Sequence, residues 1–225
     1  MLKGIIFDLD GVVIDSHPIH KSAWKRFLAS LGRHVTDDEL DFVLDGRKKE
    51  DILRHFLGDL SEEQIRNYGH QKEMMFREES RAIKLVDGVA DFLGQIQRAG
   101  IPMGLATSGS YSRVQYILDR LDLRRRFQVV VTGDDVLKGK PDPAIFVLAA
   151  RQLQCPHADV LVVEDAVAGV RAAKQAGMKC LGIAGSNGLG PLLREAGADG
   201  VVSNFVGLSV ESLHNIGNGY RIDLA

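Results

Sequence analysis

Short, uninterrupted apolar runs recur along the chain, separated by stretches whose apolar positions are spaced for helices. The runs are Gly4-Ile5-Ile6-Phe7, Pro102-Met103-Gly104-Leu105-Ala106, Gln128-Val129-Val130-Val131, Val160-Leu161-Val162-Val163, Lys179-Cys180-Leu181-Gly182-Ile183 and Gly200-Val201-Val202. They do not alternate with polar residues, which predicts strands covered on both faces. Between them, Val89 to Arg98 brings Phe92, Leu93 and Ile96 to one side, with Gly100 placed to stop it. Tyr111 to Leu123 repeats Val114, Ile117, Leu118 and Leu121, and Ala144 to Leu153 follows Pro141 and Pro143. Val167 to Ala176 is rich in alanine and runs into Gly177, a predicted left-handed C-cap. Alternating strand and helix predict an α/β fold with a doubly wound parallel sheet.

One region breaks the rhythm. His17 to Leu31, Thr36 to Leu44, Glu50 to Leu57 and Ser61 to about Arg81 read as helix after helix, with no strand between them. Such helices must cover one another, so a small bundle is expected as an insert just after the first strand and its turn. The expected division is a Rossmann-like core of residues 1–14 and 83–225, with an α-helical domain of residues 15–82 inserted into it.

The composition of the 225 residues, 45% hydrophobic and 26% charged, is that of a globular domain. A formal net charge of -2 gives no global attraction to nucleic acid or to an anionic membrane, so neither is an expected partner. Cys155 and Cys180 are too few for a disulfide framework, and Cys180 is expected as a buried thiol. No apolar run approaches the about 18–20 residues that cross a bilayer. The N-terminal run is interrupted at once by Asp8 and Asp10, unlike a secretory signal. A cytoplasmic monomer is the expectation.

Four segments carry candidate chemistry, and each has an ordinary structural alternative. Asp8-Leu9-Asp10-Gly11 sets two carboxylates at the C-terminal end of the first strand, where α/β sheets bind ligands. Residues i and i+2 face one spot, and like charges that close call for a cation; magnesium suits carboxylates, water and phosphate. A carboxylate can also attack phosphorus. The alternative is a solvated acidic turn. An EF-hand is excluded, because its fifth, sixth and twelfth positions would be Val12, Val13 and Ile19.

The second segment, Thr107-Ser108-Gly109-Ser110, offers a hydroxyl and helix N-terminal amides for a phosphate oxygen, or an ordinary N-cap. The third, Gly139-Lys140-Pro141-Asp142-Pro143, presents a lysine at a helix start. That lysine neutralises a phosphate or is merely solvated, and the Gly133–Gly139 spacing is not that of a Walker loop. The fourth, Glu164-Asp165, ends another strand, either as metal ligands or as an acidic helix N-terminus favoured by the dipole. All four lie at strand ends, where separate elements of such a sheet converge, and together they supply what phosphoryl transfer requires.

With these motifs the chain resembles the haloacid dehalogenase superfamily of phosphatases and phosphomutases. The resemblance spans the whole core, and the inserted helices resemble the α-helical cap of its sugar phosphatase and β-phosphoglucomutase subgroup. It implies Asp8 as nucleophile and magnesium ligand, and Asp10 as general acid and base whose backbone carbonyl also meets the metal. It implies Thr107 and Lys140, with Ser108, around the transferring phosphoryl group, Asp165 on magnesium, and Glu164 as a further ligand. In the insert, His20 and Trp24 lie one turn apart and share a face. His20 matches the histidine that mutases keep near the hinge. Gly46-Arg47-Lys48-Lys49 is a basic loop in the region where mutases hold a second phosphate. Mutases keep an arginine there for that phosphate; Lys49 aligns best with it, and Lys72 matches a second cap lysine. Position 16 is Ser where mutases usually carry Thr, a lean toward hydrolysis.

The expected function is therefore magnesium-dependent hydrolysis of a small phosphate monoester, such as a sugar phosphate, through an aspartyl phosphate. A sugar phosphomutase is the alternative. A non-enzymatic phospho-acceptor switch would need neither the helical insert nor Glu164-Asp165, and a dehalogenase would not need the metal acids.

Overall fold

A computed structural model of the chain describes residues 2–185, 188–217 and 223–224; the other positions of the expected core segments lie outside the described residues. The first half of the chain forms β1 (Gly4–Phe7), β2 (Ile14–Asp15), α1 (His17–Ser30), α2 (Lys49–Leu57), α3 (Glu62–Glu79), β3 (Lys84–Leu85), α4 (Val89–Arg98), β4 (Met103–Ala106) and α5 (Tyr111–Arg120). The second half forms β5 (Val129–Val131), α6 (Ala144–Gln152), β6 (Val160–Glu164), α7 (Val167–Gln175), β7 (Lys179–Ile183), α8 (Gly190–Glu195), β8 (Gly200–Val202), α9 (Val210–Gly217) and β9 (Asp223–Leu224).

The main sheet has the order β5-β4-β1-β6-β7-β8-β9, with every neighbouring pair parallel. Strand pleating sends alternate residues to opposite faces. Ile5, Phe7, Leu161, Val163 and Leu181 therefore meet Phe92, Val114 and Leu213 on one side. Ile6, Val160, Val162 and Cys180 meet Phe146, Val170 and Leu193 on the other. Burial on both faces is why the strand sequences carry no polar alternation. β1 lies between β4 and β6, where the winding of the sheet reverses, and the crevice for a ligand opens there at the strands' C-terminal ends.

The helical insert has its own core, built on Trp24, Phe27, Leu28, Leu53, Phe56 and Ile65. Its longest helix, α3, starts with a reciprocal cap between Ser61 and Gln64. The chain enters and leaves the insert through β2 and β3, which pair antiparallel, Ile14 with Leu85 and Asp15 with Lys84. Away from this ribbon, hydrogen bonds at Asp45, Gly46 and Lys48 also tie the insert to the core. Ser108 Oγ donates to Gly46 O at 2.6 Å, Lys48 Nζ to Val136 O at 2.9 Å, and Ala168 N to Asp45 Oδ1 at 3.2 Å.

Some expected elements differ. Thr36–Leu44 narrows to a 3₁₀ helix over Glu39–Leu44, ahead of which Thr36 and Glu39 exchange reciprocal hydrogen bonds. α5 stops at Arg120, and Asp122 turns the chain with φ 52° before the 3₁₀ turn Arg124–Arg126. α6 begins at Ala144 as expected, with Lys140 in the turn ahead of it. Gly100 and Gly177 take the left-handed φ of 69° and 72° that end α4 and α7. No helix among the described residues is long and apolar enough to cross a membrane.

Candidate active site

β1 delivers Asp8 into the crevice, and its amide still pairs with Val163 O at 2.9 Å. The carboxylate is 5% exposed. Lys140 reaches it from the turn before α6, which Asp142 N closes on Gly139 O at 3.0 Å. Lys140 Nζ donates to Asp8 Oδ1 at 2.6 Å and to Glu164 Oε2 at 2.7 Å, with no exposed side-chain surface. Glu164 Oε1 accepts from the amides of Asp165 and Ala166 at 3.1 Å each. Gly169 makes room for this arrangement, since a Cβ there would lie 2.0 Å from the Glu164 carboxyl carbon.

Asp8, Glu164 and Asp165 each offer an oxygen, and these atoms lie within 4.8 Å of one another. The carboxylates differ in what they still lack. Both oxygens of Glu164 are engaged, whereas buried Asp165 Oδ2 has no hydrogen-bond partner. His17 Nε2 stands 2.8 Å from that oxygen, within ion-pair range but not aligned for a hydrogen bond. A buried carboxylate oxygen without a hydrogen bond, beside further carboxylates, is what a hard divalent cation satisfies, so these residues fit a magnesium-type ion.

The electrostatics agree with that fit. Burial pushes the Asp8 carboxyl up to about 7 against the opposing pull of Lys140, with Glu164 and Asp10 adding to the rise. Burial raises Glu164 and Asp165 as well. Burial alone would lower Lys140, but Asp8 and Glu164 outweigh it and hold the ammonium above its ordinary value. Burial would also lower His17, yet Asp165 lifts it to about 9.

Asp10 stands apart from this acid cluster. Its Oδ1 accepts from Ser16 Oγ at 2.7 Å and Arg113 Nη1 at 2.8 Å, with His20 Nε2 at 3.0 Å. Its Oδ2 accepts from Arg113 Nη2 at 2.7 Å. Burial would raise the carboxyl, but Arg113 and His20 outweigh it and hold Asp10 well below the usual carboxylate range. Burial and then Lys72 lower His20 to about 3, so the ring is neutral. The tautomer protonated on Nε2 donates to Asp10 and accepts from Lys72 Nζ on Nδ1 at 3.1 Å.

The structure brings together much of what the sequence singled out. Asp8, Asp10, Thr107, Ser108 and Asp165 line one cavity, and His20, Trp24, Arg47, Lys49 and Lys72 close it from the insert. Their engagements differ. Thr107 Oγ1 accepts from Gly109 N at 3.2 Å, and the Ser108 hydroxyl is committed to the insert's backbone. Arg47 pairs with Asp45 at 2.9 Å and lies over the Phe42 ring, whereas Lys49 is 37% exposed. Lys72 is buried over Trp24 and Phe76, and burial lowers its ammonium to about 8.

Two residues escaped the sequence reading. Arg113 flanks the apolar stripe of α5 one turn ahead of Ile117, and a charge in that position was the available signal. His17 begins α1, and nothing in one sequence announces that this position meets the end of β6.

Residues 5–183 match the family described as haloacid dehalogenase-like hydrolase. A phosphorylated carbohydrates phosphatase of Thermotoga maritima is 33% identical, with 89% of this chain and 94% of that protein aligned. A β-phosphoglucomutase of Bacillus subtilis is also 33% identical, over 98% of each chain. Among solved structures, CbbY from Rhodobacter sphaeroides in complex with phosphate superposes with a TM-score of 0.81 at 30% identity, covering 95% of this chain and 100% of that one. The extent of these matches and the parallel sheet with its helical insert lead to one assignment: the chain belongs to the haloacid dehalogenase-like hydrolase family.

Proposed function

We propose that the protein hydrolyses a small phosphate monoester, a sugar phosphate, by passing the phosphoryl group through Asp8. The observation that carries this reading is the buried chain Asp8–Lys140–Glu164 beside Asp165 Oδ2, a buried oxygen without a hydrogen bond. Asp8 attacks phosphorus, and Asp10, ionised in the free protein, takes the proton of the bound monoester anion and passes it to the leaving oxygen. Water then attacks the aspartyl phosphate, and Asp10, again a carboxylate, accepts the water's proton. Lys140 and the Thr107 hydroxyl offset charge on the phosphoryl oxygens. Asp8 and Asp165, with the Asp10 backbone carbonyl, are the proposed magnesium ligands, while Glu164 fixes Lys140 and the backbone behind them. When bound, magnesium supplies Lewis-acid stabilisation of the developing charge. The helical insert, residues 15–82, covers the site and selects the substrate through His20, Trp24, Arg47, Lys49 and Lys72.

The test is incubation with magnesium and a panel of sugar phosphates, measuring released phosphate and isomerised sugar together. Phosphate release on at least one sugar ester, stopped by EDTA and restored by magnesium, is expected. Full activity in excess EDTA would remove the metal from the reading. Metal binding also has an expected pH profile. Asp8 must be ionised to hold the cation, and it sits at about 7. Affinity should level off above that pH and fall below it, approaching about tenfold per unit by proton competition at one site.

A second reading, a sugar phosphomutase, draws on Arg47, Lys49 and Lys72 at the cavity wall and on the relative named β-phosphoglucomutase. Lys49→Ala distinguishes them. A mutase should lose isomerisation by at least about 10-fold, the scale of one charge-assisted contact, while hydrolysis of p-nitrophenyl phosphate changes little. Equal losses would argue against a dedicated second-phosphate contact.

A further inference from the structure

Arg113 is buried, 7% exposed, and it is carried by the first turn of α5. Helical side chains lean toward their own N-terminus, so the guanidinium is aimed at the strand-end crevice. The place is unfavourable for a cation on two counts: it is removed from water, and it lies at the positive end of the helix dipole. What holds it there is Asp10, met by both terminal nitrogens at 2.8 and 2.7 Å in a fork. The rest of its surroundings keep the fork in place. The Phe76 ring lies 5.1 Å from the guanidinium carbon, and Glu73 approaches Nε at 3.8 Å. Gly109 leaves the space, since a Cβ there would fall 2.2 Å from Nη2. Ser16 and His20 touch only Oδ1, so among the described residues Arg113 alone engages both oxygens and thereby defines the plane of the carboxylate.

We propose that Arg113 is the positioning residue for Asp10, fixing the direction in which that carboxylate presents its oxygens to the reacting ester. The inference rests on the phosphoryl-transfer reading above, in which Asp10 moves the proton. Lysine is a poor substitute, because one ammonium cannot hold a carboxylate's plane.

The experiment compares two esters under magnesium saturation: p-nitrophenyl phosphate, whose leaving group needs little protonation, and the sugar phosphate most active in the panel, whose leaving group needs it. If Arg113 aims the proton donor, Arg113→Ala should cut kcat on the sugar ester by about 10²-fold, the low end of general-acid contributions. On the aryl ester the cut should be under about 10-fold, with KM for both little changed. Arg113→Lys keeps a buried positive charge and guards against failure to fold; it should show the same selective loss at about 10-fold or more. Adding Asp10→Ala to Arg113→Ala should cost little beyond Asp10→Ala alone, as expected for residues acting as one unit.

Equal losses on the two esters, or wild-type rates for Arg113→Lys, would overturn the proposal. Failure of the wider reading looks different: Asp10→Ala would then leave sugar-ester turnover intact whatever stands at position 113.

Discussion

Asp8→Asn should abolish turnover, lowering phosphate release by about 10⁴-fold or more, as the loss of a covalent nucleophile does. The fold should survive. Asparagine keeps the shape of the side chain, its carbonyl can still accept from Lys140, and it removes a carboxyl that burial has already pushed up to about 7. Far-UV circular dichroism and the thermal midpoint check the fold. Acid-quenched wild-type protein should carry an acid-stable, base-labile acyl phosphate, and the variant none. Turnover within about 10-fold of wild type would exclude Asp8 as the attacking group.

Lys140→Met should damage both chemistry and stability. The ammonium is the cation between two buried carboxylates, at 2.6 and 2.7 Å. Breaking a buried pair from one side leaves uncompensated charge and costs about 3–5 kcal/mol, far more than an exposed pair. Urea unfolding at pH 8 without metal would measure it. The pH dependence has a definite sign. Burial raises Asp8 and Glu164 above their ordinary values, so the folded state favours their protonated forms and loses stability as pH rises through the interval between unfolded and folded values. Without Lys140 both carboxyls rise further, so the deficit should be largest at alkaline pH and shrink toward about pH 5, where they take up protons. Activity at pH 8 should fall by about 10²–10³-fold, the effect of removing one preorganised donor to the transferring group. A variant as stable as the parent at pH 8 would contradict this account of the site.

The sheet was legible because its strands are covered on both faces. Ile5-Ile6-Phe7 and Val160-Leu161-Val162-Val163 carry no polar residue, and length alone separates such runs from helices. The convergence of the candidate residues was legible for a related reason: Asp8, Thr107, Lys140 and Glu164-Asp165 each end or follow a strand or its crossing loop, and parallel strands bring their ends to one edge. What stayed hidden depends on contacts between distant elements or on segments too short to show a period. β2 and β3 have two residues each, and α8 has six. Arg113 looked like a polar residue at the start of an amphipathic helix, and only the folded chain sets it against Asp10. The bond from the Ser108 hydroxyl to the backbone of Gly46 was equally hidden. That the insert's helices cover one another was legible, whereas the engagement of Lys72 with His20 required coordinates.

The two-stranded ribbon of Ile14–Asp15 with Lys84–Leu85 begins four residues after Asp10. Its first turn is tied to the Asp10 loop, since Gly11 N donates to Ile14 O at 2.8 Å. Ser16 and His20 travel with the helices beyond this joint, whereas Arg113 stays with the sheet. Any rotation of the insert about the ribbon therefore drags two of the Asp10 donors relative to the third. On the proposed reading of Asp10, such a rotation would uncover the crevice and misalign the proton carrier in a single mechanical event.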